Sequence, residues 1–317
     1  METIKEISII GAGIMGHGIA QSFLMGGYPV RMYDVREEIL NGARLQIALS
    51  LEQFREAGLI ARREIIRISG RLQLTCNLGQ AVAGSDFIVE AAPEDLALKQ
   101  KLFPEIEALC PKKAILASNT SSLTLADIGR GVKEKKRLII THWFNPPHII
   151  PVVEVVRGPA TSRFTLLATQ RLLAGIRKVP VIIEKEVPGF LVNRIQMAML
   201  REILDLYAKG IARPATIDKA VRGSLGFRLA VVGPLRTVDL GGADTWLKSS
   251  RNLLPKINSS KDPPQALRSL VSRGHIGIKS GKGFFDYGGG SARAISEEIR
   301  KRDRSLLRLL KNWKDSI

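Results

Sequence analysis

The sequence predicts an α/β fold, a doubly wound parallel sheet followed by a smaller all-α C-terminal domain. Three observations carry that reading. Short β-branched runs alternate with helical patterns through the first half of the chain. A glycine-rich turn joins the first of these strands to the first helix. From about Val187 onward the strand patterns stop and helical periodicity takes over. Alternation of this kind is what a parallel sheet covered by helices requires. The expected division is residues 1–186 and 187–317, two pieces each long enough to bury a core.

Ile7-Ser8-Ile9-Ile10 is a short apolar run that reads as a buried parallel strand. It runs directly into Gly11-Ala12-Gly13-Ile14-Met15-Gly16, and a helix follows through Ile19, Ala20, Phe23 and Leu24 to Gly26-Gly27. A second strand, Tyr28 to Tyr33, ends at Asp34. In this strand–turn–helix–strand setting the glycines take distinct roles. Gly11 permits the tight turn, Gly13 lets the backbone approach a pyrophosphate, and Gly16 lets helix and strand pack closely. The helix N-terminus faces the phosphates. An acidic Asp34 accepts from ribose hydroxyls and repels a 2′-phosphate, so the expected cofactor is NAD. Arg31 and Arg36 beside it leave a route to NADP. The first half is thus expected to be a Rossmann-type dinucleotide domain.

Further strands are expected at Asp86–Glu90, Ala114–Ser118 and Arg137–Thr141. Doubly wound sheets bind ligands beyond the carboxyl ends of their strands. Glu94, Lys99, Ser118-Asn119-Thr120-Ser121 and His142 all fall at or just past such ends. Glu154 lies within Val152-Val153-Glu154-Val155-Val156, and a carboxylate inside a β-branched strand is costly unless paired. His142 is the natural partner, because a carboxylate fixes an imidazole's tautomer and stabilises its charged form. The competing reading places Glu154 on an edge strand facing solvent.

Composition narrows the function classes. The 317 residues are 45% hydrophobic, as in globular proteins, and carry a formal net charge of +18. That charge suits a solvated basic surface or attraction of a phosphate-bearing small ligand. Nucleic acid is not the expected partner, because aromatics are 5% and no nucleic-acid motif appears. The start, METIKEISII, lacks a signal-peptide pattern, and the apolar runs fall short of a membrane span, so a cytoplasmic protein is expected. Cys76 and Cys110 stand far apart and read as reduced thiols, and no metal site is expected.

Taken together, GAGIMGHGIAQ, VEAAPEDLALK, ASNTSSL, HWFNPP, VPGFLVNR and GIKSGKGFFDY, in this order along nearly the whole chain, resemble the L-3-hydroxyacyl-CoA dehydrogenase family. The resemblance implies a catalytic His142–Glu154 dyad, with Ser121 contacting the substrate oxygen and Asn193 supporting the site. It implies NAD contacts from Gly11 to Gly16 (Gly11, Ala12, Gly13, Ile14, Met15, Gly16), Asp34, Glu94, Lys99, Ser121 and Lys279. It further implies a homodimer, with a small-molecule substrate in the cleft between the domains. Asn193 also stands out directly: on a helix bracketed by Pro188 and Gly210, it shares a face with Phe190, Met197 and Leu200.

Three stretches depart from that family. His148-Ile149-Ile150-Pro151 replaces a usual methionine-lysine segment, Gly226–Pro234 replaces an asparagine-histidine-proline run, and a basic amphipathic helix follows Tyr287. That helix carries Ile295, Ile299, Leu306, Leu310 and Trp313 along one side. These features look more like relatives that oxidise free hydroxy acids, the lambda-crystallin/L-gulonate type, carnitine dehydrogenase and a pyridine-carboxylate dehydrogenase. Arg228 is then a candidate carboxylate clamp. Ser50 matches a family contact to coenzyme A, whereas the matching lysine is Ala57 here, with Arg55, Arg62 and Arg63 nearby to take its place or stand solvated. The leading expectation is NAD-dependent oxidation of a 3-hydroxyacyl-CoA, with a free hydroxy acid second. A crystallin-like structural role would not need the intact dyad. A membrane-surface role for the last helix competes with its packing on its own domain.

Overall fold

A computed structural model describes residues 4–313 of the chain. In order, its first elements are β1 (Ile7–Ile10), α1 (Gly16–Met25), β2 (Val30–Tyr33), α2 (Glu37–Glu56), α3 (Arg62–Ser69), β3 (Leu72–Thr75), α4 (Leu78–Val82) and β4 (Phe87–Glu90). They continue with α5 (Leu96–Leu109), β5 (Ile115–Ser118), α6 (Leu125–Ile128), β6 (Leu138–Trp143), β7 (Val152–Val156), α7 (Arg163–Gly175) and β8 (Val179–Ile183). All eight strands form one sheet of order β3-β2-β1-β4-β5-β6-β7-β8. Pairing is parallel throughout except between β6 and β7, which run antiparallel.

The two-residue period of each strand sorts side chains onto the two faces. Ile7 and Ile9 enter one core with Phe23, Trp143, Val153 and Val155, while Ile10 enters another with Phe103, Leu116 and Ile140. Each fully buried side chain of this kind contributes roughly 1.5–3 kcal/mol. Ser8 faces the second side and is satisfied there by Ala81 O and Ser85.

Two strands escape the sequence pattern. β3 is a four-residue edge strand with no fully buried residue. β8 contains Pro180, which argues against a central strand and is tolerated here because β8 is the other edge.

The chain separates into two compact units. The first comprises residues up to Asn193 together with Asp303–Trp313; the second is Arg194–Arg302. Residues 187–193, just past the expected boundary at 186/187, fall with the first unit in this division. Phe190 is buried, and the Leu191 and Val192 amides donate to Glu154. Phe190 also has φ +49°, outside the helix α8 (Val192–Ala208), so it does not share the helix face expected with Asn193.

The second unit is helical, with α9 (Pro214–Val221), α10 (Phe227–Leu229), α11 (Pro234–Gly241), α12 (Ala243–Leu253) and α13 (Gln265–Ser272), and its only bridges among the described residues are isolated ones at Gly277–Lys282 and Lys282–Asp286. The last helix, α14 (Ala292–Asn312), ends in the first unit. There Leu307, 1% exposed, packs with Phe54 and Ile149, and Leu306 and Leu310 border them. The packed face therefore includes Leu306 and Leu310 of the side the periodicity singles out and adds Leu307; Trp313 lies just past the helix. No helix among the described residues is long and apolar enough to cross a membrane.

Candidate active site

The glycine turn after β1 is shaped by contacts that exclude a side chain. Gly11 has φ +103°, and a Cβ there would lie 2.6 Å from Ala91 O. At Gly16 a Cβ would meet Gly11 O at 1.8 Å, so α1 can begin this close to β1 only with glycine. At Gly13, by contrast, a Cβ would have no neighbour within 4 Å. The backbone there is open to an approaching pyrophosphate. The Ala12 amide donates to Asp34 Oδ2 at 2.9 Å, which ties the end of β2 to the turn and leaves Oδ1 for a ribose hydroxyl. These residues fit NAD: open backbone at Gly13, a helix N-terminus behind it, and an anchored carboxylate at the second strand end.

Next along the rim, β4 and β5 end side by side at Glu90 and Ser118. Glu90 accepts from Ser118 Oγ at 2.6 Å and from Lys99 Nζ at 2.5 Å. Burial raises the Glu90 carboxyl above its ordinary range, against the pull of Lys99. Lys99 is itself 1% exposed, and its ammonium also stands 3.6 Å from Glu94. It therefore lies behind the rim, holding two carboxylates. Glu94 Oε1 accepts from Thr120 Oγ1 at 2.7 Å and from the amides of Ser121 and Ser122 at 2.9 and 3.2 Å. Burial pushes the Glu94 carboxyl up, but these hydrogen bonds and Lys99 outweigh it and hold it low. The hydroxyl-rich stretch is thus a loop wrapped on Glu94. Ser121 Oγ reaches the same oxygen at 3.3 Å.

The dyad is a cross-strand pair. His142 on β6 sits opposite Glu154 on β7 in antiparallel register, with Nδ1 2.7 Å from Oε2. His142 is 5% exposed and Glu154 0%. β7 lies between β6 and β8, so the solvent-facing reading of Glu154 fails. The other oxygen, Oε1, accepts from the Leu191 and Val192 amides at 3.1 and 2.8 Å, at the start of α8. With both oxygens engaged, Glu154 is compensated and oriented. Phe144 and Phe190 pack on the imidazole, with ring centroids 4.7 and 5.5 Å away. Donation by Nδ1–H to Glu154 makes Nε2 the basic nitrogen.

Around the dyad, Asn193 Nδ2 donates to Ser121 O at 3.4 Å, which links the first turn of α8 to the serine loop. Asn119, which the strand-end pattern places on the rim without a role of its own, accepts from the Trp143 amide at 3.0 Å and holds the end of β6. Its place in Ser118-Asn119-Thr120-Ser121 is the one signal that points to it. The first unit thus gathers the glycine turn, Asp34, Glu94, Lys99, Ser121, Asn193, His142 and Glu154. Ser50 also lies in this unit, but on the buried face of α2 with Ile47, Leu51 and Phe54. Lys311 of α14 donates to Ala57 O at 3.2 Å and so adds a cation at the position where the resemblance expects a lysine. Arg228 and Lys279 are exposed residues of the second unit.

Comparison with known proteins gives a consistent result. Residues 6–187 match the family model described as 3-hydroxyacyl-CoA dehydrogenase, NAD binding domain, and residues 189–287 match its C-terminal domain. The chain is 32% identical over 307 residues to a 5-formyl-3-hydroxy-2-methylpyridine 4-carboxylate 5-dehydrogenase of Mesorhizobium japonicum, covering 97% of this chain and 98% of the relative. It is 35% identical over 285 residues to a probable 3-hydroxybutyryl-CoA dehydrogenase of Bacillus subtilis, covering 90% and 98%. A solved structure of a pyridine-carboxylate 5-dehydrogenase, described as an NAD+-dependent dismutase, superposes with a TM-score of 0.89 at 31% identity, over 98% of this chain and 100% of that one.

Proposed function

Because the chain belongs to the 3-hydroxyacyl-CoA dehydrogenase family and is an NAD-dependent oxidoreductase, we propose that it interconverts an L-3-hydroxyacyl-CoA and the 3-oxoacyl-CoA, with His142 as general base. The observation that carries this reading is the buried His142–Glu154 pair at 2.7 Å, placed on the same sheet as the NAD turn. His142 Nε2 takes the proton of the 3-hydroxyl while Nδ1–H stays on Glu154, which stabilises the imidazolium. Ser121 and Asn193 orient the substrate oxygen. NAD, when bound, supplies the acceptor for the hydride that leaves C3. In the opposite direction His142 returns the proton to the forming alcohol. The reaction places the protein in fatty-acid or short-chain acyl-CoA metabolism. Lys311 at Ala57, with Arg304 and Arg308 on the same helix, supports a phosphate-bearing substrate. Exposed Ile195, Met197 and Met199 on α8 support a homodimer.

A second reading, oxidation of a free hydroxy acid with Arg228 on its carboxylate, has its own support. The C-terminal family match stops at residue 287, before α14. The Mesorhizobium pyridine-carboxylate enzyme aligns over 97% of this chain, which leaves too few residues to omit the 21 of α14. The test is NADH oxidation with acetoacetyl-CoA beside NAD reduction with L-gulonate, carnitine, L-3-hydroxybutyrate and 5-formyl-3-hydroxy-2-methylpyridine 4-carboxylate. Turnover with acetoacetyl-CoA on the order of 1–10³ s⁻¹ supports the first reading, and activity confined to a free acid supports the second. In either case His142→Gln is expected to lower kcat by roughly 10²–10⁴-fold with NADH affinity unchanged. A near-normal kcat in that variant removes His142 from the mechanism.

A further inference from the structure

We propose that Lys178 is a positioning residue for the dyad, pinning the loop between β6 and β7 against the dinucleotide-binding helix α1. The role assigned to the dyad rests on the reading above; the contacts do not. The loop carries Pro146 and Pro147 and closes on itself through the Ile149 and Ile150 amides, both donating to Pro146 O at 3.0 Å. The carbonyls of Pro147 and Ile150 receive no backbone donor among the described residues. Lys178 Nζ donates to both, at 2.7 and 2.8 Å.

The lysine is an expensive way to satisfy two carbonyls, which is why its placement is informative. It is 7% exposed, and no carboxylate among the described residues lies within ion-pair distance of it. Burying such a cation costs several kcal/mol unless its donors are used. Here two are used, and the Trp143 ring lies 5.5 Å from Nζ. Arg177, immediately before it, has φ +61°. A non-glycine residue in the left-handed region costs about 1–3 kcal/mol. The turn between α7 and β8 carries that strain at the residue that aims Lys178 inward.

On its other side the loop meets α1. A Cβ on Gly18 would lie 2.7 Å from both Pro147 Cγ and His148 Nδ1, and Ser22 Oγ adds a 3.4 Å bond to Pro147 O. Ile149 packs on Phe54 and Leu307. The loop is therefore wedged between the helix that begins at the NAD turn and the two strands that carry His142 and Glu154. Its position sets how the imidazole stands relative to the cofactor edge. Burial lowers the Lys178 ammonium to about 7. The neutral amine keeps two N–H groups, one for each carbonyl, so the clamp holds in both protonation states.

The test is Lys178→Met in the full chain, which keeps an unbranched side chain one atom shorter and removes every donor. NADH affinity is read by fluorescence titration, kcat on whichever substrate the wild type turns over, and the titration of His142 by NMR of histidine-labelled protein, assigned with His142→Gln. A displacement of about 1 Å at a reacting group can cost 10²-fold. The expected result is a roughly 10–100-fold lower kcat, NADH affinity within about twofold of wild type, and a displaced His142 titration curve. A folded variant with kcat within about threefold of wild type, or an unmoved His142 curve, overturns the proposal. Should Lys178→Met fail to fold, Ile149→Ala loosens the same loop from the opposite side. A folded Ile149→Ala with normal kcat and an unmoved His142 curve overturns it equally. A wild type inactive on every substrate counts against the proposed function, and the His142 titration then decides this proposal alone.

Discussion

Glu154 shows how far a single residue can be read. A carboxylate inside a run of valines demands a partner, and His142 is the candidate that strand-end geometry offers. The register of β6 and β7 puts the two opposite each other, and backbone amides complete the carboxylate's second oxygen. Lys178 is illegible by the same logic, because its partners are main-chain carbonyls, which no residue type announces. Its burial has a consequence for stability. In the folded chain the ammonium is lowered to about 7, against an ordinary value of 10.5. Between those values the unfolded chain holds a proton that the folded chain has released, so stability rises with pH across that window. Below about pH 7 both states are protonated and the burial cost is felt in full. Denaturant unfolding at pH 7, 8 and 9 should therefore show wild type gaining on Lys178→Met by up to about 1.4 kcal/mol per pH unit. Parallel curves for the two proteins would mean that Lys178 titrates as it does in water.

Among the elements, those with strong period-2 or glycine-turn signals are legible, and those defined by their neighbours are not. β1 and α1 follow directly from Ile7–Ile10 and the glycine turn. β8 contains a proline that only an edge position excuses. α14 is the clearest case: its amphipathic pattern announces a helix with a packing partner, but not that its last turns dock on Phe54 and Ile149. Leu307 carries that docking at 1% exposure. Leu307→Ala should cost about 2–5 kcal/mol in guanidinium unfolding, the range for a buried leucine. A loss below about 0.5 kcal/mol, the scale of a surface change, would show that the last turns are not held there. The docking also ties the last turns of α14 to the first unit, because Ile149 neighbours Ile150, whose carbonyl Lys178 holds.

At the scale of the whole molecule the excess of positive charge becomes a kinetic argument. A net charge of +18 raises the local concentration of polyanions, and the effect fades as salt shortens the Debye length to about 3 Å at 1 M. If the substrate carries coenzyme A, kcat/KM should fall roughly tenfold between low salt and 0.5 M sodium chloride. A monocarboxylate substrate should lose far less. Equal salt dependence for the two classes would mean that the charge serves solubility and not capture. The family match spans residues 6–187 and 189–287, so it takes in parts of both units and ends before α14.

Periodicity and residue chemistry were enough for the α/β class and the glycine turn after β1, and they named His142 as the partner Glu154 would need if buried, because each is a local pattern or a cost that burial imposes. The placement of Lys99 behind Glu90 and Glu94, the burial of Ser50, the left-handed Phe190 on the imidazole and the Lys178 clamp came only with the folded chain. In each of those the deciding contact joins residues distant in sequence, or uses a backbone group that every residue carries alike. Such contacts exist only once packing has chosen which of many equivalent partners lies within reach.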